Sequence, residues 1–200
     1  MSPRRASTIT RLDQMKALSS PARQELLDVL TGMGTVSLTE VGVVLGRPAD
    51  GLYYHIHILE RVGLVKSAGT RTREGRTEAL FRAAAPEFAL RYAASPPSHA
   101  RTVTAIVTAM LRLGIRDFRR ALARGGIRLE GADRDLWALR TSGWLLPAQV
   151  RNVNRQIRTL SKAATQKQPK GRLYAVTVLL TPLDHRSNKT GRRPRKAAGR

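Results

Sequence analysis

Four residues, Asp50, Tyr53, Tyr54 and His57, stand at i, i+3, i+4 and i+7, so a helix through them shows all four on one face. Together they offer a carboxylate, two phenolic hydroxyls and an imidazole, groups that hydrogen-bond base edges and phosphates. Ala49 lies at the head of the same face. Leu52, Ile56 and Leu59 recur at i, i+4 and i+7 on the opposite side and predict a buried stripe. Asp50 has two readings: an N-terminal cap or dipole partner, or an acceptor for a cytosine amino group. Further along, Arg71, Arg73 and Arg76 crowd a glycine-flanked stretch, 69–76, and suit phosphates or a narrow minor groove. Arg47, in an Arg-Pro turn, and Thr39 suit phosphate contact.

Other chemistries find little footing. His55 and His57 are two apart and do not face each other on a helix, and His99 and His185 are distant, so no metal site is assigned. His55 is expected at the helix base with one hydrogen bond satisfied. The chain has no cysteine, which excludes disulfides, thiolate metal sites and cysteine nucleophiles. No phosphate-binding glycine loop or nucleophile elbow occurs, and Asp133 and Asp135 have the spacing of a solvated turn. No catalytic residue and no cofactor is assigned, and the expectation is a protein that is not an enzyme.

Charge points the same way. Among 200 residues, Lys and Arg number 36 against 14 Asp and Glu, a net charge of +22. Such a balance anticipates a polyanion, most often nucleic acid. Seven of the positive charges lie in 186–200, which leaves the body of the chain basic without them. Residues 1–11 lack the apolar core of a secretion signal, and no apolar run approaches the length of a membrane span. A soluble, cytoplasmic protein with no membrane partner is expected.

The elements that must position these residues follow from caps and periodicity. Residues 1–8 read as an arm carrying Arg4 and Arg5, and 9–18 as a helix. Ser20-Pro21 starts a second helix, ended by Gly32 and Gly34. Ser37 and Glu40 form a capping box that opens a short helix ending at Gly46. The next helix runs from Asp50 to Val62 and is closed by Gly63. Alternation then predicts strands at 64–68 and 77–83, with 69–76 as the loop of a β-hairpin. Pro86 and Ser95-Pro96-Pro97 mark a linker.

This order of short helix, tight turn, helix and basic hairpin is that of a winged helix-turn-helix. A helix about 10–12 Å across fits a major groove about 12 Å wide. The residues also resemble the ArsR-type winged-helix regulators. Residues 15–27, MKALSSPARQELL, look like their opening helix pair; 38–46, LTEVGVVLG, like their first helix of the motif; 52–65, LYYHIHILERVGLV, like their recognition helix. The likeness spans roughly 12–83. It implies a dimeric, sequence-specific bacterial DNA-binding regulator, usually a repressor, associated with the nucleoid. Two departures stand out. Tyr53 occupies a place commonly held by serine near the DNA, and the cysteine metal switch of the best-known members is absent.

The expected fold class is α+β and mainly helical. A winged helix-turn-helix over 9–84 is followed by a linker, 85–97, a dimerisation or effector region, 98–183, and a disordered basic tail, 184–200. In the second half a helix over 100–123 carries Val103, Ile106, Met110, Leu113 and Leu122 and is the expected homodimer contact. Gly125-Gly126 ends it. Strands are predicted at 135–141 and 172–181, with a helix at 147–164 between them. Met110, Trp137, Trp144 and Tyr174 are candidates to line an apolar pocket for an unknown small-molecule effector. The rival reading is a nucleoid-type coater of low specificity, using the tail; a third is a protein-interaction module that keeps the shape alone.

Overall fold

A computed structural model describes residues 7–91, 97–165 and 171–183. Arg4 and Arg5 of the arm, 92–96 of the linker, 166–170 and the basic tail lie outside the described residues.

The chain opens with β1 (Ser7–Ile9), not with a helix from Ile9. It pairs in parallel with β5 (Phe88–Leu90), inside the stretch read as a linker. The Ser-Thr-Ile run, with Thr8 and Ile9 β-branched, takes a strand partner some eighty residues away, and Ile9 joins the core. Helix α1 (Leu12–Leu18) therefore starts later than its apolar spacing suggested, with Asp13 in its first turn. Helix α2 (Pro21–Met33) has Ser20 in extended conformation at its N-cap and Pro at the first position, and Gly34, at φ 91°, ends it. Ser20 makes no side-chain cap bond.

Strand β2 (Val36–Ser37) leads into helix α3 (Leu38–Leu45). The capping box is complete: Glu40 N–H donates to Ser37 Oγ (3.3 Å) and Ser37 N–H donates to Glu40 Oε2 (2.9 Å). Gly46 closes α3 in the left-handed conformation. Helix α4 (Asp50–Arg61) buries Leu52, Ile56 and Leu59, as the spacing predicted.

Strands β3 (Val65–Arg73) and β4 (Arg76–Ala83) form the hairpin, and β2 adds to β4, giving the antiparallel order β2-β4-β3. Most of 69–76, expected as loop, is strand. The turn is Glu74-Gly75, both with positive φ (52° and 75°), and two such residues close a hairpin with the twist its strands need. Thr70, Thr72 and Thr77 extend the ladder, with Thr72 opposite Thr77. Met15, Leu26, Leu30, Val41, Ile56, Leu59 and Leu64 form the centre of one core under α1–α4 and the sheet.

Helix α5 (Pro97–Arg124) packs on α1 and α2 and buries Ile106, Ala109 and Leu113. Gln24, nearly buried, ties the three together, donating to the carbonyls of Leu18 (2.6 Å) and Ile106 (3.0 Å). Helix α6 (Pro147–Ala164) forms where expected. The strands predicted at 135–141 and 172–181 do not: both segments run without a ladder among the described residues. They meet through side chains, Tyr174 and Arg172 on Asp135. An alternating apolar pattern becomes a strand only where an edge accepts its backbone, and these stretches find none here. The whole is a mixed α+β fold, with six helices among the described residues.

Candidate nucleic-acid interface

The α3–turn–α4 unit is closed by a backbone contact. Arg47 N–H donates to the Gly42 carbonyl (2.9 Å), and a Cβ on Gly42 would stand 2.6 Å from the Arg47 carbonyl oxygen. Only a glycine lets the turn approach α3 this closely.

With Leu52, Ile56 and Leu59 buried, α4 turns Asp50, Tyr53, Tyr54 and His57 outward together. Tyr54 is 70% exposed, and the Tyr53 and His57 rings lie 6.3 Å apart. His57 Nδ1 is 3.5 Å from Glu60 Oε2, while Glu60 Oε1 accepts from Ser67 N–H and ties α4 to β3. Ala49 is half-buried and packs on the core, so it seats the helix.

The basic residues divide into two kinds. Arg71 is held by two carboxylates, Glu40 at 3.0 Å and Glu78 at 3.2 Å. It latches the hairpin to the start of α3. Ser37 N–H, then Arg71, hold the Glu40 carboxyl below its ordinary range; Glu78 is lowered by the Thr39 hydroxyl first, then Arg71. Thr39, exposed on α3, thus faces the hairpin carboxylate. Arg47 is also engaged, 2.8 Å from Glu25, which is 9% exposed on α2. The same carboxylate accepts from Arg116 of α5 at 2.5 Å. Arg73 and Arg76 differ: they face each other across the hairpin end, exposed, and Arg73 has a single loose contact, 3.5 Å, to Glu74. Sequence reasoning missed Glu25, Glu78 and Arg116, and read Glu40 as a cap without its pairing to Arg71. Their signal was the scarcity of acids in so basic a chain, which gives each carboxylate several arginines to choose from.

His55 is half-buried, and its Nδ1 finds no partner, against the expectation of a satisfied bond. Burial first, then Arg23 and Arg47, depress its pKa below 6.5. The unfolded chain therefore takes up this proton before the folded one does. The stability concerned is present above pH 6.5 and falls as pH drops through that value. Thermal midpoints of the wild type should fall more between pH 7.5 and 5.5 than those of His55→Gln; parallel profiles would refute this.

Trp137, Trp144 and Tyr174 are all more than half exposed, and Met110 is half-buried on α5. Trp137 stacks under Arg134 at 4.2 Å. Two surface depressions have other linings: Lys16, Ser19, Ser98, Arg101, Thr102 and Ala105 in one, and a stretch of α6 in the other. Among the described residues, no group of three His, Cys, Asp or Glu could hold a metal, and no helix is long and apolar enough to cross a membrane.

Residues 18–68 match the helix-turn-helix domain family, which takes in ArsR-type regulators. The matched stretch runs from the end of α1 into β3 and contains the whole α3–turn–α4 unit. A domain of this kind points to DNA binding in the regulation of transcription. No curated protein matches the chain.

Proposed function

We propose that the protein is a sequence-specific regulator of transcription, a repressor and not an enzyme, that binds double-stranded DNA as a homodimer in the bacterial cytoplasm. The observation that carries this is the outward face of α4, where Asp50, Tyr53, Tyr54 and His57 stand together on a helix whose other side is buried. Asp50, Tyr53, Tyr54 and His57 include no Arg, Lys, Asn or Gln, so the bidentate contacts to guanine and adenine are not their means of reading; Arg61, exposed at i+4 from His57, is the one such side chain in line with them on α4. Tyrosine hydroxyls, the imidazole, and acceptance by Asp50 from a cytosine amino group take their place. The Arg73–Arg76 end of the hairpin meets phosphates.

Dimerisation rests on α5. Beyond the face it packs on α1 and α2, it exposes Leu111, Ile115 and Leu122, with half-buried Phe118 in the same line at i, i+4, i+7 and i+11. A second apolar stripe on one helix fits a two-fold mate, which sets two recognition helices one DNA turn apart, about 34 Å.

Competition binding tests the reading. A selected palindromic site should be preferred over random duplex by at least about 10³ at physiological salt; equal affinity for both would favour a low-specificity coater instead. Arg73→Ala with Arg76→Ala should weaken binding to both duplexes alike and lower the salt slope by about 0.9 per lost phosphate contact. Arg71→Ala should instead loosen the hairpin, because its charge is already spent on Glu40 and Glu78.

A further inference from the structure

The most concentrated unneutralised charge on a described element lies on α6, outside the helix-turn-helix. Arg151, Arg155, Arg158 and Lys162 stand at i, i+4, i+7 and i+11 and form one straight line along the helix. All four are exposed, and α6 has no Asp or Glu. Several arginines elsewhere are held by carboxylates, Arg47 by Glu25, Arg71 by Glu40 and Glu78, Arg116 by Glu25 and Asp117, Arg172 by Asp135, whereas Arg76 on the hairpin and Arg112, Arg119, Arg120 and Arg124 on α5 form no ion pair among the described residues. Among the described residues none of the four on α6 forms an ion pair; Arg155 donates to Asn152 (2.6 Å) and so keeps its full charge. Like charges at i, i+3 and i+4 weaken a helix, so the line disfavours α6 in the free protein, and a polyanion laid along it would relieve that repulsion.

We propose that this line of α6 is a second DNA-backbone site, separate from the reading face of α4. Eleven residues at 1.5 Å rise span about 16 Å, roughly five base-pair steps of one strand at 3.4 Å each. Arginine and lysine side chains repeated once per turn match a row of phosphates, which carries no sequence information. The opposite side of α6 holds Val150, Val153 and Ile157, half-buried, and Leu160, exposed, so the charged line is kept apart from the apolar one. Ser161, donating to Glu87 (3.2 Å), ties it to the segment before β5.

The test replaces Arg151, Arg155, Arg158 and Lys162 together by Gln in the full chain. Gln forms helix nearly as well as Arg and Lys, so circular dichroism should show the helix retained. The slope of log affinity against log salt should fall by about 3 to 4 on random duplex and on a selected site alike, at about 0.9 per contact. Between 50 and 200 mM salt the wild type should then lose about 100-fold more affinity than the variant. The preference for the selected site should persist, which separates this result from a failure of the α4 reading. An unchanged slope would overturn the proposal. So would an unchanged slope joined to lost binding of phosphatidylserine-containing vesicles, which would assign the line to a lipid surface.

Discussion

Glu25→Ala is expected to destabilise the protein by about 3 kcal/mol, at the low end of the range for breaking a buried ion pair. Glu25 sits under two arginines from different elements, Arg47 in the α3–α4 turn and Arg116 on α5, at 2.8 and 2.5 Å. Its removal leaves two guanidinium groups facing each other over the same hole. Their side chains keep 33% and 27% of their exposure and can partly turn to solvent, which limits the cost. Arg116 also retains Asp117 at 2.6 Å, whereas Arg47 loses the one carboxylate it touches. The turn should therefore loosen more than α5 does, and specific DNA affinity should fall with stability. Urea denaturation measures the first effect and competition binding the second. Glu25→Gln, which keeps an acceptor, should fall between wild type and Glu25→Ala. Arg47→Met in the Glu25→Ala background should recover part of the loss, because it removes the guanidinium left without a carboxylate. A Glu25→Ala protein as stable as the wild type would show that the shared carboxylate is not an anchor.

Gly42→Ala is expected to reverse the usual sign of a glycine-to-alanine change in a helix. In an unobstructed helix the change stabilises by about 0.4–1 kcal/mol. At Gly42 the new methyl would meet the Arg47 carbonyl oxygen at 2.6 Å and the Ala49 nitrogen at 3.5 Å, and backbone atoms cannot swing aside as a side-chain end can. Overpacking of this kind costs about 1–3 kcal/mol, so a net loss of about 1–2 kcal/mol should remain. Its consequence for binding should be larger than its consequence for stability, because the displaced element is the turn that aims α4. Gly51, on α4, supplies the comparison: a Cβ there meets nothing within 4 Å, and Gly51→Ala should stabilise. Thermal melts of the two variants should move in opposite directions; a shared upward shift would refute the close approach at Gly42.

The reading unit was legible from residues close together in the chain. The capping box of Ser37 and Glu40, the stop at Gly46 and the 52-56-59 spacing act within one or two turns of helix, and each appears where the pattern put it. The outward set of Asp50, Tyr53, Tyr54 and His57 follows from the same periodicity. What these side chains and the arginines do for one another was not legible. Arg47, Arg71 and Arg73 look alike in sequence. Two of them hold carboxylates carried by other elements, and the third stands exposed.

The second half shows the same division from the other side. Helices α5 and α6 formed from their own apolar spacing and their Gly-Gly and Pro boundaries. The segments at 135–141 and 172–181, rich in strand-forming residues, stayed unpaired because a strand needs a neighbour. Ser7–Ile9 became a strand, where an arm leading into a helix at Ile9 was expected, because Phe88–Leu90 supplied a neighbour. The sequence by itself determined the helix-turn-helix, its outward face and its basic character, all products of local caps, periodicity and charge. Only the tertiary structure decided which arginines are spent on Glu25, Glu40 and Glu78 and which remain for a partner. Those pairings join residues up to 91 positions apart, and no local pattern records them.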